Sequence, residues 1–276
     1  CRGVTGKVVG ARLPRKEDKR FLRGQGEYVA NIRLPGMLDV AFVRSPMAHA
    51  RILGIKKLPG VFTSEDLKGV QPIRANSSLK GFKSSDQPIL ATGKVRQVGE
   101  LVAMCVAPTR AEAEDLADQV ELDLEELPAV VDMLEARARP PALVHEHWGD
   151  NVFLESFVDD DLSGVKRAAA VTIKRQIRTA RQHMSPMEGR GVVCEWNRRL
   201  DQLVMHTAAQ MPHLNRAGLA ECLGIDQGAI RVIAPDVGGG FGYKGILLPE
   251  EVALAWLCRK LGKPVRWIED RREQLS

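Results

Sequence analysis

The residues best suited to chemistry lie in one run, Val232-Ile233-Ala234-Pro235-Asp236-Val237-Gly238-Gly239-Gly240-Phe241-Gly242-Tyr243-Lys244-Gly245. An apolar, strand-like segment empties into glycines there, and a chain without Cβ atoms can take positive φ and let a ligand approach its backbone. Successive N–H groups in such a loop form a concave donor array suited to phosphate or oxo oxygens. One reading is dinucleotide binding. Gly240-x-Gly242-x-x-Gly245 fits that fingerprint, a strand precedes it, a helix follows, and Glu269-Asp270 ends the next strand where a ribose-binding acid belongs. Three features oppose it: Ile246-Leu247-Leu248-Pro249 intervene before the helix, the pattern begins late, and few residues follow Asp270 to build further βα units.

Other reactive side chains form no recognisable centre. His183, His206 and His213 match no metal-site spacing, and the five cysteines, at 1, 105, 194, 222 and 258, include no C-x-x-C pair. The last four sit in apolar or helical text and read as buried small hydrophobes, so neither a disulfide framework nor an iron–sulfur or zinc motif is expected, and a reducing compartment fits. Forty Lys+Arg against 35 Asp+Glu leave a mild +5. The densest cluster, Arg12, Arg15, Lys16, Lys19, Arg20 and Arg23, is interrupted by Glu17 and Asp18 and carries no interleaved aromatics, which points to a solvated or subunit-contact surface and away from nucleic acid. No apolar stretch approaches the roughly 20 residues of a membrane span. The chain opens on Cys1, which reads as a trimmed boundary and leaves upstream targeting signals open.

The elements expected to position the loop are mixed. Leu38–Arg44 and Ala50–Ile55 alternate as strands, with Ser45-Pro46 turning between them into a hairpin or adjacent pair; a short helix is expected at 64–67 and a loop at 76–86. Val98–Val106 reads as a buried strand, Thr109-Arg110-Ala111-Glu112 as a capping box opening a helix to about Val120, and 121–127 as another strand ended by Pro128. Pro140-Pro141 and Asp159-Asp160-Asp161 mark a junction. Beyond it, strands are expected at 171–178, 191–196, 202–207, 230–237 and 265–268. Helices are expected over 212–223, closed by Gly224, and from Pro249. Glu250 and Glu251 suit the positive end of that last helix. The fold class is α+β.

Ordered pieces along most of the chain resemble the N-terminal portion of the large, molybdenum-binding subunit of the xanthine dehydrogenase and aldehyde oxidase family, particularly its carbon monoxide dehydrogenase-like bacterial branch. In the first unit these are Arg20-Phe21-Leu22-Arg23-Gly24, Gly26-x-Tyr28, Leu34-Pro35-Gly36-Met37-Leu38, Arg44-Ser45-Pro46 with His49-Ala50, Pro59-Gly60-Val61, Val98-Gly99-Glu100-x-Val102-Ala103 and Leu127-Pro128. In the second they are Met187-Glu188-x-Arg190-Gly191, Glu195-Trp196, Gln210-x-Pro212-His213 and Gly238-Gly239-Gly240-Phe241-Gly242-x-Lys244.

The resemblance implies an N-terminal extension over 1–20, an α/β hammerhead domain over 21–132, a linker over 133–168, and the start of the first molybdopterin-binding domain over 169–276. It also implies water-derived hydroxylation of a carbon centre: a molybdenum-bound hydroxyl attacks, hydride passes to a sulfido ligand, and electrons leave through iron–sulfur clusters. The carbon monoxide branch uses a copper–molybdenum variant. The implied cofactor is molybdopterin cytosine dinucleotide, with iron–sulfur and FAD on separate small and medium subunits. The substrate would be a small aldehyde, N-heterocycle or carbon monoxide. By motif match Gln210 would hydrogen-bond a molybdenum oxygen ligand, and Gly239, Gly240, Phe241 and Gly242 would lie along pterin and metal, with no direct metal ligand from the protein. A helix-initial glutamine and a plain turn are the structural alternatives. Glu188 and Arg190 read as ion-pair or backbone contacts. Glu100 belongs to the hammerhead pattern and is not the family's catalytic glutamate, which is expected in the remainder of the large subunit. Gly245 stands where purine-oxidising relatives carry a glutamate. A cytoplasmic location is expected, with export known among aldehyde-oxidising relatives. A non-catalytic assembly scaffold is the remaining alternative.

Overall fold

The structure is a computed structural model that describes residues 9–157 and 159–275; the expectation for Cys1 falls outside them. The first unit holds α1 (Asp18–Phe21), β1 (Leu38–Arg44), β2 (Ala50–Ile55), β3 (Val61–Thr63), β4 (Ile73–Arg74), β5 (Asp86–Gln87), β6 (Lys94–Val95), β7 (Leu101–Ala107), α2 (Arg110–Asp118) and β8 (Leu122–Glu126). Short helices α3 (Met133–Ala138) and α4 (Ser163–Ala168) lie in the connecting stretch. The second unit holds β9 (Gly191–Asn197), β10 (Gln202–Thr207), α5 (Pro212–Leu223), β11 (Ile230–Ile233), α6 (Pro249–Leu261), β12 (Val265–Ile268) and α7 (Arg271–Leu275). This is the mixed α+β architecture expected.

A single seven-stranded sheet, ordered β11-β10-β9-β12-β1-β7-β3, draws strands from both units. They join where β12 pairs in parallel with β1, Leu38 opposite Val265, and the Arg266–Asp39 ion pair at 2.7 Å fastens the same register. The apolar run of β7 is buried over its first five residues because strands lie on both sides of it. Against the β9–β12 half packs α6, whose Leu254, Leu257 and Cys258 meet Val192, Cys194, Leu203, Met205 and Val265 in one core. Each such leucine contributes roughly 1.5–3 kcal/mol by leaving water.

Local signals place several elements. Thr109 Oγ1 accepts from the Glu112 N–H at 3.3 Å while Glu112 accepts from the Thr109 N–H at 3.0 Å, which is the reciprocal cap expected. Pro212 and Pro249 open α5 and α6, and Gly224 closes α5 at φ 63°.

Three expectations are corrected. β1 and β2 are not paired: β2 lies in a separate sheet, β6-β2-β8. Ser45 donates its N–H to Glu100 O and accepts from the Gly99 N–H, so the turn binds the segment before β7 and diverts the chain to β8. Residues 171–178 form no ladder, and Val171, Ile173 and Ile177 are 75%, 75% and 85% exposed. Alternation makes a strand only where a neighbour takes up its N–H and C=O groups, and no described strand pairs with this segment. β11 also ends early, at Ile233, because Asp236 is drawn away to Glu27.

Cys105, Cys194, Cys222 and Cys258 are free and buried, as expected. Burial pushes the thiols of Cys105 and Cys258 up to about 12 and that of Cys222 up to about 11, so these stay protonated. Among the described residues no helix is long and apolar enough to cross a membrane.

Candidate functional site

Residues 234–248 run from β11 to α6, and charged groups fix this segment at both ends. At its start the Asp236 carboxylate accepts from the Arg20 guanidinium at 2.6 Å and from the Glu27 N–H at 2.7 Å, and the arginine holds that carboxyl down at about 2. Glu188 spans the glycine run. Its Oε2 accepts from the Gly238 N–H at 2.7 Å and from the Lys244 ammonium at 2.8 Å. Lys244 is buried, and removing one partner of a buried ion pair costs about 3–5 kcal/mol.

Gln210 holds the loop from beneath. Its backbone N–H donates to Lys244 O at 2.8 Å, and its Oε1 accepts from the Gly242 N–H at 3.0 Å. An N–H requires an acceptor, so this contact turns the carboxamide oxygen inward and the NH2 outward. Gly240 lies against the same carboxamide: a Cβ there would come within 2.5 Å of Gln210 Oε1. The loop thus has an internal reason for a glycine at 240, besides any ligand. Gly239 takes φ 97° and Phe241 φ 53°. The left-handed region costs a non-glycine residue about 1–2 kcal/mol, and the Phe241 ring, 72% exposed, recovers little of that by burial.

The structure therefore brings together the residues singled out from the sequence: Gln210 lies against Gly240 and Gly242, which sit in the same short loop as Gly239 and Phe241. Among the described residues, the N–H groups of Gly239, Gly240 and Phe241 and the NH2 of Gln210 have no acceptor. Neutral donors without acceptors suit an oxygen-rich ligand.

Beneath that loop lies a network the sequence reading missed. Tyr243 Oη donates to Glu269 Oε1 at 2.7 Å, and Arg190 bonds Glu269 at 2.7 Å and Glu250 at 3.0 Å. Arg44, from the first unit, reaches Glu250 and Glu273, each at 3.1 Å. Burial alone would raise the Glu250 carboxyl, but Arg190 and Arg44 outweigh it and hold it below its ordinary value. Glu251 differs: burial pushes it up to about 7, against hydrogen bonds from neutral donors. Two acids in a helix's first turn ahead of an apolar run were the available signal, but they also fit a solvated helix end. A cleft of about 360 Å³ opens beside the loop, lined by Arg44, Glu100, Met184, Tyr243, Leu248 and Gln274 among others.

The remaining candidates are structural. Glu188 and Arg190 form ion pairs as expected, though with different partners. His183 hydrogen-bonds Ser185 at 2.7 Å and the Gln274 carbonyl at 3.0 Å, and Glu100 accepts from the Arg96 N–H at 2.6 Å. No group of three His, Cys, Asp or Glu among the described residues could hold a metal. The dinucleotide alternative fails on geometry. β11 and β12 are separated by β10 and β9, and the Glu269 carboxylate is occupied by Arg190 and Tyr243.

Two family models define the class of protein to which this mixed sheet and its glycine loop belong. Residues 23–128 match the family model for the aldehyde oxidase and xanthine dehydrogenase α/β hammerhead domain, and residues 144–276 match that for the molybdopterin cofactor-binding domain. The chain belongs to the xanthine dehydrogenase and aldehyde oxidase family. It is 38% identical to the nicotine 6-hydroxylase large subunit of Paenarthrobacter nicotinovorans over 99% of this chain and 34% of that protein. It is 33% identical to the carbon monoxide dehydrogenase large chain of Hydrogenophaga pseudoflava over 95% of this chain and 35% of that one. Quinoline 2-oxidoreductase from Pseudomonas putida 86 superposes with a TM-score of 0.89 at 41% identity, over 96% of this chain and 35% of that chain. The chain thus spans about a third of the length of the relatives it matches.

Proposed function

We propose that this chain forms part of the catalytic large subunit of a molybdenum hydroxylase, in which Gln210, Gly239, Gly240, Phe241 and Gly242 border the molybdopterin. The observation that carries this is the set of four neutral donors close together at the loop, three main-chain N–H groups and one carboxamide NH2, left without an acceptor among the described residues. They fit the oxygens of such a cofactor without adding charge. When bound, the cofactor supplies the redox centre that oxidises the substrate with water as the oxygen source.

The chain's own residues bind and orient it. Gln210 presents its NH2 outward because the Gly242 N–H holds its oxygen, the main-chain donors of 239–241 cradle oxygen atoms, and the exposed Phe241 ring limits access. We assign the hammerhead to 21–132 and the start of the cofactor domain to 169–276. The cofactor form is taken as molybdopterin cytosine dinucleotide, with molybdenum alone or molybdenum–copper. Iron–sulfur and FAD subunits complete the electron path, in keeping with relatives named as large subunits or chains. Turnover is expected to require the remainder of the large subunit. Of aldehyde, N-heterocycle and carbon monoxide substrates, we place N-heterocycles first, a reading supported by relatives named for nicotine and quinoline.

Gln210→Ala in the complete enzyme tests the reading. Turnover should fall about 10–100-fold while assembly and molybdenum content stay near wild type, the behaviour of a donor to a cofactor ligand. Unchanged turnover discards the role, and a wild-type complex purified without molybdenum would mark a scaffold instead.

A further inference from the structure

Gln210 lies in the short connection between β10 and α5, and one buried carboxylate fastens that connection at both ends. Glu251 is 6% exposed, yet no cation bonds it among the described residues. Its Oε1 accepts from Thr207 Oγ1 at 2.7 Å, at the last residue of β10, and from Asn215 Nδ2 at 2.6 Å, in the first turn of α5. Its Oε2 accepts from the Leu248 N–H at 3.0 Å, where the glycine loop enters α6. Arg190, whose charge acts on it without a bond, is committed to Glu250 and Glu269.

A buried carboxylate held only by neutral donors contributes little stability compared with apolar packing of the same volume. Its value here is geometric. The strand end before Gln210, the helix start after it and the exit of the glycine loop all converge on two oxygen atoms. Asn215 supports the same view, since its Oδ1 is buried without a partner among the described residues while its NH2 is directed at Glu251. The side chain accepts an unsatisfied oxygen in exchange for that one bond.

We infer that Glu251 is a positioning residue, which sets the Gln210 carboxamide against the glycine loop through Thr207, Asn215 and Leu248. The inference rests on the cofactor reading of that loop and deepens it.

The test uses the complete enzyme carrying Glu251→Ala, Glu251→Gln or Thr207→Val. Glu251→Ala should lower kcat per molybdenum about tenfold or more, as loss of an orienting partner does. KM should move less than about threefold, since ground-state binding is not what is lost. Amide exchange across 208–214 should accelerate about tenfold by local opening, and the Mo(V) electron paramagnetic resonance line shape should change. Glu251→Gln should recover most of the turnover, because its oxygen can accept from Leu248 while Asn215, flipped, offers its unpartnered Oδ1 to the new NH2.

A purely structural role predicts a lower melting temperature with kcat per molybdenum, line shape and 208–214 exchange unmoved, and that result overturns the inference. If Glu251→Ala does not fold, Thr207→Val removes one of the three bonds at nearly constant volume. It should then show the same changes at smaller amplitude, and wild-type exchange and kcat in that variant overturn the inference equally. A wild-type enzyme without molybdenum would sink the cofactor reading separately, since 208–214 exchange reports on Glu251 whether or not metal is bound.

Discussion

Adding a single methyl group at Gly240 should displace Gln210. A Cβ there would stand 2.5 Å from Gln210 Oε1, 2.6 Å from Cδ and 2.8 Å from Cγ. Comfortable contacts between carbon atoms need about 3.5–4.0 Å, so the carboxamide must retreat by about 1 Å. The Gly242 N–H then loses its acceptor, now at 3.0 Å. Overpacking costs about 1–3 kcal/mol and a lost hydrogen bond about 1 kcal/mol. Gln210 is exposed and its arm can swing, which places the total near the lower end, about 2 kcal/mol. With the side chain already removed by Gln210→Ala, the three nearest contacts of the same methyl are gone and it should cost under about 0.5 kcal/mol. The coupling between the two sites is therefore about 1.5 kcal/mol, within the range for residues in contact. Urea unfolding of wild type, both single variants and the double variant measures it. Gly224→Ala is the control: φ is 63° with no heavy atom within 4 Å of a new Cβ, so it should cost about 1–2 kcal/mol of backbone strain and show no coupling to Gln210. Additive effects of Gly240→Ala and Gln210→Ala would refute the claim that these two residues share one space.

Phe241→Asn should raise the thermal midpoint, because asparagine accepts φ 53° more readily and the ring is mostly exposed; the gain is about 1 kcal/mol, and Phe241→Ala should show none of it. An equal or lower midpoint for Phe241→Asn would mean that the ring packs usefully. The stability of the fold should also carry a pH dependence from Glu251, whose carboxyl rises from 4.5 to about 7. The folded chain then binds that proton more tightly than the unfolded one. Its contribution is fully present below pH 4.5 and is lost as pH rises through 7, by roughly 3 kcal/mol at most. Comparing unfolding free energies at pH 5 and 7.5, Glu251→Gln should lack that slope, and parallel slopes in both proteins would remove the assignment.

Much of the fold could be read locally because its causes are local. The Thr109–Glu112 cap, the Pro212 and Gly224 limits of α5 and the apolar text of β7 each act within a few residues. The same holds for the glycine loop, whose bare backbone is visible in the residue types themselves. Segment 171–178 shows where this stops, since its alternation is sound but a ladder needs a second strand that sequence order does not name. The Ser45–Pro46 turn failed likewise, because its destination depends on backbone contacts with Gly99 and Glu100.

The amino-acid sequence by itself determined most of the element types, the family to which they belong, and the run of glycines and the carboxamide from which the cofactor proposal starts, since these rest on backbone preference and on short ordered runs. Tertiary structure alone decided that strands from both units share one sheet, that Glu188 closes on Lys244, and that Glu250 and Glu251, adjacent in the chain, meet opposite surroundings. One faces two guanidiniums and stays ionised. The other meets only neutral donors and is driven toward its protonated form, because a carboxylate's charge is set by what surrounds it in space.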